Sequence, residues 1–207
     1  MVQNTQPRPR GRPRAYDPQQ ALAQARDAFW QAGFAATSMD DLSTATGMNR
    51  PSLYAAFGDK HSLYLDLLER YTAAANQAIA REFEQDQPLA RALTRFYRHA
   101  LALYLPEEGA PRGCFLIGTA VSEAAADPQV REKLAAGLNG FTRALEQRLR
   151  RARDEGEIDA KADPAALADI AAAVLHSLAV RARAGDSRTA LNGLVKSAVN
   201  LIGGGGK

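Results

Sequence analysis

The sequence has few of the residue types on which many enzymes and metalloproteins depend. It contains one cysteine, Cys114, and three histidines in 207 residues. Gly-x-Ser-x-Gly, His-Glu-x-x-His and paired-cysteine motifs are absent, and neither His61 nor His99 has a metal-binding partner four residues further on. One thiol cannot form an intrachain disulfide. We therefore expect no enzyme activity, no metal site, no cofactor and no disulfide.

Long apolar runs are scarce as well. The most apolar stretch, residues 165–180, is interrupted by Asp169 and His176, so no run reaches the roughly 18 residues that span a bilayer. The first residues are rich in arginine and proline and contain no apolar segment, which argues against a secretory signal peptide. These absences predict a cytoplasmic protein that does not associate with membranes.

Positive charge is concentrated at the N-terminus. The chain has 26 basic and 23 acidic side chains, and residues 1–16 hold four of the basic ones and no acid, so the rest of the chain sums to −1. The four are Arg8, Arg10, Arg12 and Arg14. A basic arm on a near-neutral body indicates a polyanion as partner. The alternative is a solubilising disordered tail.

Helix starts are marked by capping residues. Alanine is abundant and β-branched runs are scarce, which favours helices over strands. Asp-Pro pairs at 17–18, 127–128 and 163–164 each place a capping carboxylate before a proline at the first helical position. Gln87-Pro88 is a weaker version of the same signal. These positions predict four helix starts.

Glycines and apolar spacing complete the prediction of an all-α fold. The predicted helix ends include Gly33, Gly47, Gly156 and Gly185. Between the predicted starts and ends, apolar residues recur at intervals of three and four residues, as on one face of a helix. No alternation with a period of two indicates a strand. The pattern predicts about nine helices, at residues 18–33, 39–46, 50–56, 59–83, 88–105, 112–125, 128–155, 164–184 and 187–202.

Residues 37–63 predict two short helices joined by a tight turn. Ser38 and Asp41 form a capping-box pattern, Gly47 permits the turn, and Asn49 caps the second helix. This is the pattern of a helix–turn–helix, in which the second helix enters the major groove of DNA. Two packed helices with no DNA function give the same pattern. The expected buried seam consists of Leu42, Ala45, Met48, Leu53 and Phe57.

The same segment resembles the DNA-binding domain of the TetR (tetracycline-repressor-like) family. The resemblance covers about residues 16–65, and beyond them it is one of helical plan and length. It implies a dimeric transcriptional regulator, a repressor, that binds an inverted-repeat operator and is released by a small molecule. The run 112–116, Arg-Gly-Cys-Phe-Leu, resembles a feature of one subgroup. The matching positions are Thr37, Ser38, Asp41, Leu42, Gly47, Met48, Ser52, Leu53, Tyr54, Phe57 and Lys60, with Ala28, Phe29, Gly33 and Phe34 before them.

The resemblance also implies which residues contact the DNA backbone. Thr37 and Ser38 would hold one phosphate at a helix start, and Tyr54 would offer its phenol to another. Lys60 would add a point charge. Such contacts set the register of the protein on DNA and carry no sequence information.

Base reading would fall to the second helix and to the arm. The second helix offers Asn49, Arg50, Ser52 and Ala55, of which Arg50 can bond guanine bidentately and Ala55 has only a methyl group. Many relatives have a bulkier residue where Ala55 stands. In the arm, Pro-Arg-Gly-Arg-Pro around Arg10 and Arg12 resembles an AT-hook, which lies in the minor groove.

The resemblance divides the chain into four parts. Residues 1–16 are a disordered basic arm, 17–62 the helix–turn–helix domain, 63–202 the ligand-binding and dimerisation domain, and 203–207 a flexible tail. The alanine-rich helix 164–184, with either the stripe 130–149 or helix 187–202, would form a four-helix interface across a two-fold axis, with Ala172 as a candidate interface residue. The alternative is that these faces form the core of one protomer.

Signal reception has two candidate sites. Large side chains on the middle helices would line a pocket for a small apolar or amphipathic effector. Cys114 is either a buried hydrophobe or a redox or electrophile sensor whose pKa is lowered by Arg112 and a helix N-terminus. A further alternative is a helical ligand-binding module without DNA function. The candidate pocket residues are Phe96, Tyr97, Tyr104, Phe115 and His176.

Overall fold

The computed structural model describes residues 17–204. That part of the chain contains nine α-helices and no strand. Every predicted helix is present, and all bounds except those of α6 lie within one residue of the prediction. The helices are α1 Pro18–Ala32, α2 Met39–Thr46, α3 Arg50–Phe57, α4 Lys60–Glu84, α5 Leu89–Tyr104, α6 Phe115–Glu123, α7 Pro128–Asp154, α8 Pro164–Arg183 and α9 Arg188–Ile202.

Capping explains why most starts were predictable. The carboxylates of Asp17, Asp127 and Asp163 each accept backbone N–H groups of the first helical turn, which satisfies donors that have no intrahelical partner. The Gln87 prediction is wrong in its mechanism. The Gln87 amide donates to Glu82, and the carboxylate of Glu157, from the loop after α7, accepts the N–H of the first α5 residue instead.

Helix α6 begins three residues later than predicted because a tight turn precedes it. The backbone N–H groups of Arg112 and Gly113 both donate to the carbonyl of Tyr104, at 3.0 and 3.2 Å. Gly113 has a φ of +62°, and a Cβ there would lie 2.5 Å from the carbonyl oxygen of Ala179 on α8. Only glycine fits this turn, which brings the loop after α5 against α8.

Helix α4 joins the two halves of the molecule. Its first turns bury Leu63, Tyr64 and Leu67 near α1, and its last turns bury Ile79 and Phe83 beside α5 and α7. Helix α1 packs on one end of α4 and carries α2, which carries α3, while α5, α6 and α7 pack along the rest of α4 and are covered by α8 and α9. The buried residues form one continuous apolar cluster along this axis, which predicts cooperative folding.

Helix α8 combines a buried face with an exposed apolar face. By length and composition it is the one helix among the described residues that could cross a membrane, with a mean hydropathy of 1.5 and 39% of its most apolar window buried. The helix meets these measures as an average over the window, although Asp169 and His176 interrupt its apolar run. Core helices of soluble proteins also meet them, and α8 packs against α7, α5 and α9. Its remaining apolar surface needs a partner.

Candidate functional site

The helix–turn–helix is held by a small buried core and a tight turn. Gly47 adopts the left-handed conformation, with φ 66° and ψ 10°. The Ser43 hydroxyl donates to the carbonyl of Met48 at 2.5 Å, and the Met48 side chain is buried. Of the predicted seam, Ala45 and Phe57 are only half-buried, whereas Leu42, Met48 and Leu53 are buried. Helix α3 is thereby fixed with one face outward.

The outward face of α3 carries most of the predicted DNA contacts. Tyr54 is 50% exposed, so it is not a packing aromatic within this chain. Ala55 is exposed, and Ser52 is half-buried. The side chain of Asn49 accepts the N–H of Ser52 at 2.9 Å, so its carbonyl oxygen caps the helix while its amide group stays available. Arg10 and Arg12 lie outside the described residues.

Arg50 is paired with Asp40 in the first turn of α2. Its Nε and Nη2 donate to the two carboxylate oxygens of Asp40, and this contact holds the pKa of Arg50 above its ordinary value. Both side chains are more than half exposed. A guanidinium presents N–H groups on more than one edge, and this pairing leaves the edge formed by Nη1 and Nη2 open.

Two predicted phosphate contacts are structural instead. Thr37 is buried, and its hydroxyl donates to the carbonyl of Gly33 at 2.6 Å. The Lys60 ammonium donates to the carbonyls of Phe34 and Thr37 at 3.0 and 2.9 Å and lies 4.2 Å from the Phe34 ring centroid. Both side chains therefore build the turn between α1 and α2. The Thr37 hydroxyl is buried and offers no free group, whereas half-buried Lys60 keeps one of its three N–H donors.

Ser38 remains at the surface beside this turn. Its hydroxyl accepts the Asp41 N–H at 3.2 Å while its backbone N–H donates to the Asp41 carboxylate at 2.8 Å, which completes the predicted capping box. The hydroxyl also donates to the same carboxylate at 2.6 Å. These hydrogen bonds hold the pKa of Asp41 below its ordinary value. The start of α2 is thus a rigid polar corner next to the exposed face of α3.

A cavity of about 140 Å³ lies between α4, α5, α7 and α8. Two of the five predicted pocket residues, Phe96 and Tyr104, line it. Its other large side chains, Tyr71, Phe141 and Leu175, lie on three different helices, so their meeting depends on how those helices cross. The complete lining is Tyr71, Ala75, Ala78, Ile79, Glu82, Phe96, His99, Ala100, Leu103, Tyr104, Phe141 and Leu175.

The three other predicted pocket residues do not line this cavity. Tyr97 is fully buried, and its hydroxyl donates to the carbonyl of Ala171 at 2.9 Å, which ties α5 to α8. Phe115 packs between Trp30 and Tyr71, with ring centroids 5.5 Å from each. The Nε2 of His176 is buried without a hydrogen-bond partner, and burial lowers the pKa of this histidine.

Glu82 supplies a buried carboxylate to the cavity wall, although the sequence prediction does not include it. The residue is 5% exposed. Its Oε1 accepts from Arg95 Nε at 2.8 Å and from Gln87 Nε2 at 2.9 Å. Its Oε2 has longer contacts, 3.3 Å to His99 Nδ1 and 3.4 Å to Arg95 Nη2. A glutamate three residues after buried Ile79 is the signal that could have revealed it.

The structure does not support an activated thiolate at Cys114. The residue is 2% exposed, and burial raises the pKa of its thiol although hydrogen bonds from Tyr71 and Tyr104 oppose the change. The Tyr71 hydroxyl lies 3.4 Å from the Cys114 sulfur. Arg112, which was expected to lower the pKa, instead places its guanidinium 4.1 Å from the ring centroid of Trp30.

Three residues connect α1 to the body of the molecule, and we call them the Trp30 clasp: Trp30, Arg112 and Arg183. The indole Nε1 of Trp30 donates to the carbonyl of Arg112 at 3.1 Å. Arg183, at the end of α8, donates through Nη1 to the carbonyls of Trp30 and Arg112 at 3.1 and 3.2 Å. The clasp adjoins Tyr71, whose ring meets that of Trp30 edge-on at 5.5 Å. The cavity wall and α1 are therefore in contact.

The apolar outer surface of α8 and α9 is uncovered in the single chain. Ile170 and Val180 on α8 are 45% and 56% exposed, and Leu201 on α9 is 71% exposed. Ala172, by contrast, is 3% exposed. The prediction that Ala172 faces a partner subunit is therefore wrong, because this side of α8 packs on the rest of the protomer.

Two family patterns match this chain. Residues 21–67 match the family described as bacterial regulatory proteins, tetR family, and residues 88–198 match the tetracyclin repressor-like C-terminal domain. The HTH-type transcriptional repressor ComR of Escherichia coli (strain K12) is 32% identical over 181 residues, which cover 86% of this chain and 85% of that protein. The repressor BdcR of the same strain is 35% identical over 132 residues, or 64% and 65% of the two chains.

Solved structures agree with these sequence matches. A cysteine mutant of the TetR family transcriptional regulator CifR, complexed with 26-bp double-stranded operator DNA, superposes with a TM-score of 0.81 at 31% identity, covering 91% of this chain and 98% of that one. The reduced form of NemR from E. coli gives 0.75 at 18% identity, covering 89% and 93%. At that identity the second likeness concerns the fold alone.

Proposed function

Because this chain belongs to the tetR family of bacterial regulatory proteins, we propose that it is a repressor, bound as a homodimer to an inverted-repeat operator and released by a small molecule. The observation that carries the proposal is the exposed face of α3, where Tyr54 and Arg50 stand free of the protein core. Such a regulator acts in the cytoplasm, where the DNA is, and has no catalytic step.

Arg50 is the base-reading residue that the geometry supports best. A guanidinium edge with two parallel N–H groups matches O6 and N7 of guanine. Asp40 binds the Nε and Nη2 side of Arg50, and the edge made by Nη1 and Nη2 stays available. Asn49, Ser52 and Ala55 border Arg50 on the same exposed end of α3 and complete the reading surface.

Backbone contacts would come from Tyr54, Ser38 and the arm. The Tyr54 phenol is exposed. Ser38 is exposed too, but its one hydroxyl proton is donated to Asp41, so it would reach a phosphate only by exchanging that acceptor. Thr37 and Lys60 position the turn beneath them. Arg10 and Arg12 would enter the minor groove beside the α3 site. Deleting residues 8–14 should lower affinity and flatten the salt dependence by up to about four phosphate contacts' worth. An unchanged salt slope would make the arm an inert tail.

The dimer interface is proposed on the outer faces of α8 and α9. Four exposed apolar residues of α8 follow one another at intervals of four, three and seven, which places them in one stripe along the helix. Two such α8–α9 pairs related by a two-fold axis would form a four-helix interface. The stripe consists of Ala166, Ile170, Ala173 and Val180 on α8, continued by Leu201 on α9.

Release by an effector would start in the 140 Å³ cavity. A ligand changes operator affinity only through its differential affinity for the two conformations. One side of the Tyr71 side chain lines the cavity, and its ring also contacts Trp30. A ligand that displaces Tyr71 would therefore disturb the Trp30 clasp, which orients α1. The spacing of the two recognition helices in the dimer would change as a result.

A thiol sensor at Cys114 is the rival proposal, and burial of an unactivated thiol weakens it. Cys114→Ser separates the two. If peroxide releases the parent protein from DNA but spares Cys114→Ser, the thiol is the sensor. Release of both proteins by the same small molecule would favour the cavity.

One experiment tests the core of the proposal. Duplexes that bind the full chain are selected from a random pool, and their affinity is measured over a salt series. We expect an inverted repeat and a steep loss of affinity with salt. Selected duplexes without two-fold symmetry would contradict the dimeric reading, and salt-independent binding would contradict DNA function altogether.

A further inference from the structure

We propose that the effector is a small amphiphile that has an apolar body of about six to eight non-hydrogen atoms, comparable to the ligand of a benzene-sized cavity, and one hydroxyl or amino group that donates a hydrogen bond to Glu82. Carboxylates of the same size are excluded. This inference rests on the proposed function, because it names the ligand class for the same cavity.

The size of the ligand follows from the cavity volume. A cavity of about 150 Å³ lined by apolar side chains accepts benzene, and this one has about 140 Å³. It runs along three turns of α4, from Tyr71 past Ala75 and Ile79 to Glu82. At 1.5 Å per residue this stretch of α4 is about 16 Å long. A volume of about 140 Å³ along that length makes the cavity narrow, so the ligand must be slender.

One end of the cavity is apolar although two tyrosines form it. The hydroxyls of Tyr71 and Tyr104 are both directed to the Cys114 thiol. Their ring surfaces, together with Phe141 and Leu175, are what the cavity presents. This end would hold the hydrocarbon part of a ligand, since it offers no free polar group.

The other end presents a negative charge. Glu82 lines the cavity, whereas its cationic partner Arg95 does not. The Oε2 of Glu82 has only the two long contacts to His99 and Arg95, and a carboxylate oxygen can accept more than one hydrogen bond. A hydroxyl or ammonium donor fits this oxygen. A ligand carboxylate would be repelled by the Glu82 carboxylate on its Oε2 side, where Arg95 is no nearer than 3.4 Å.

The cavity opens to solvent along α5. His99, whose side chain is 67% exposed and lies beside Glu82, and Leu103, which is 37% exposed, both line it. A ligand would place its donor at Glu82 and direct its apolar part towards the ring surfaces of Tyr71 and Tyr104. Those rings adjoin Cys114 and the Trp30 clasp.

Probes of matched size test the inference. Benzyl alcohol, benzylamine, toluene and benzoate are titrated into the full chain, with binding followed by calorimetry and release followed on the selected operator. We expect benzyl alcohol and benzylamine to bind about tenfold or more tighter than toluene, because a hydrogen bond to a charged group has this effect, and we expect no binding of benzoate. Equal binding of benzoate and benzyl alcohol would overturn the proposal.

Variants assign the selectivity to Glu82. Glu82→Gln should lose the preference for benzylamine and admit benzoate while toluene affinity stays the same. The control is Glu84→Gln, an exposed glutamate two residues further on that does not line the cavity. Ala100→Leu fills the cavity without touching Glu82 and should weaken all the probes. Unchanged selectivity in folded Glu82→Gln, checked by circular dichroism, would refute the role of Glu82.

The proposed function and this inference fail separately. If the parent protein binds its operator but none of the four probes, the ligand class is wrong and DNA regulation stands. If the probes bind with the expected order but no duplex is selected, the cavity chemistry stands and the DNA-binding proposal fails.

Discussion

The helix–turn–helix end and the helical body place their polar side chains in opposite ways. In α2 and α3, Arg50, Asp40 and Tyr54 lie at the surface. In the body, Glu82 and Arg148 lie inside it. The exposed side chains of α2 and α3 are available for DNA and contribute little to folding. The buried side chains of the body instead form contacts between helices that are distant in sequence.

Two ion pairs make this contrast measurable. Arg50 and Asp40 have exposed side-chain fractions of 53% and 68%, so solvent screens their attraction. Arg148 and Glu157 have fractions of 1% and 23% at 2.7 Å, and Arg148 also donates to the carbonyl of Gln87. Similar chemistry therefore serves recognition at one end and folding at the other.

The largest expected effect comes from breaking the buried pair. Glu157→Ala leaves the Arg148 guanidinium without its carboxylate and removes the acceptor at the start of α5. We expect the free energy of unfolding to fall by about 3–5 kcal/mol, because an uncompensated buried charge remains. Urea denaturation followed by circular dichroism measures it. Glu155→Ala, which breaks an exposed pair with Arg151, is the control and should cost less than about 1 kcal/mol. Equal losses of unfolding free energy in the two variants would show that the buried pair stabilises the fold no more than an exposed one.

The next largest effect concerns the proposed dimer. Ile170→Asp puts a charge on the exposed stripe of α8 and should give folded monomers, whose operator affinity falls on the order of 100-fold because the second half-site no longer contributes. Sedimentation together with helicity measures this. Ala172 lies two residues further along α8 and is buried, so Ala172→Asp should instead unfold the chain. A folded dimer of Ile170→Asp would place the interface elsewhere.

Ala172 and the helix bounds illustrate what the sequence could and could not predict. Helix bounds were predictable because capping acts between neighbours, as at Asp17 and Asp163. Which side of α8 meets the protomer depends on where α7 crosses it, so Ala172 was misplaced. Two of the five predicted pocket residues line the cavity for the same reason: apolar spacing identifies Phe96 and Tyr104 as inward residues but does not bring Tyr71 opposite them.

The predictions for the helix–turn–helix contain a different kind of error. The family resemblance placed the predicted contacts on α2 and α3, where Tyr54 and Ser38 are exposed, and their contact with DNA stays a prediction. Thr37 and Lys60 match the same pattern for another reason, because their polar atoms satisfy backbone carbonyls in the α1–α2 turn. A motif match alone does not separate side chains that contact a ligand from those that hold the motif in shape.

A moderate effect is expected where the two regions meet. Trp30→Phe keeps a ring beside Tyr71 but removes the hydrogen bond to Arg112. We expect operator affinity to stay within about twofold, while the effector-induced loss of that affinity shrinks several-fold, as for other residues that couple two sites. Operator titrations with and without benzyl alcohol measure this. Arg26→Gln, on the outer side of the same ring, should leave the response unchanged. A full response in Trp30→Phe would exclude the clasp as the coupling element.

The smallest effect tests whether the exposed pair serves recognition alone. Asp40→Asn removes the charge that holds Nε and Nη2 of Arg50 and should change stability by less than about 1 kcal/mol. Arg50→Ala should abolish guanine preference at one position of each half-site, a loss of about 1–3 kcal/mol. Asp40→Asn should reduce that same preference only several-fold, since the guanidinium keeps its donors and loses its fixed orientation. Duplex selection with both variants measures the two effects at the same base.

An alternative role for Asp40 makes a different prediction from the same data. A carboxylate on the DNA-facing surface also repels phosphates, and its removal would then raise affinity for every duplex alike and steepen the salt dependence. A positioning carboxylate instead changes preference at the base that Arg50 meets and leaves the other positions as they were. Asp66→Asn, which neutralises another exposed carboxylate paired with an arginine on α4, controls for the change in net charge. A uniform gain shared by both variants would show that Asp40 acts through charge alone. A change confined to one base pair in Asp40→Asn would mean that an exposed ion pair of negligible worth to folding sets the specificity of the α3 surface.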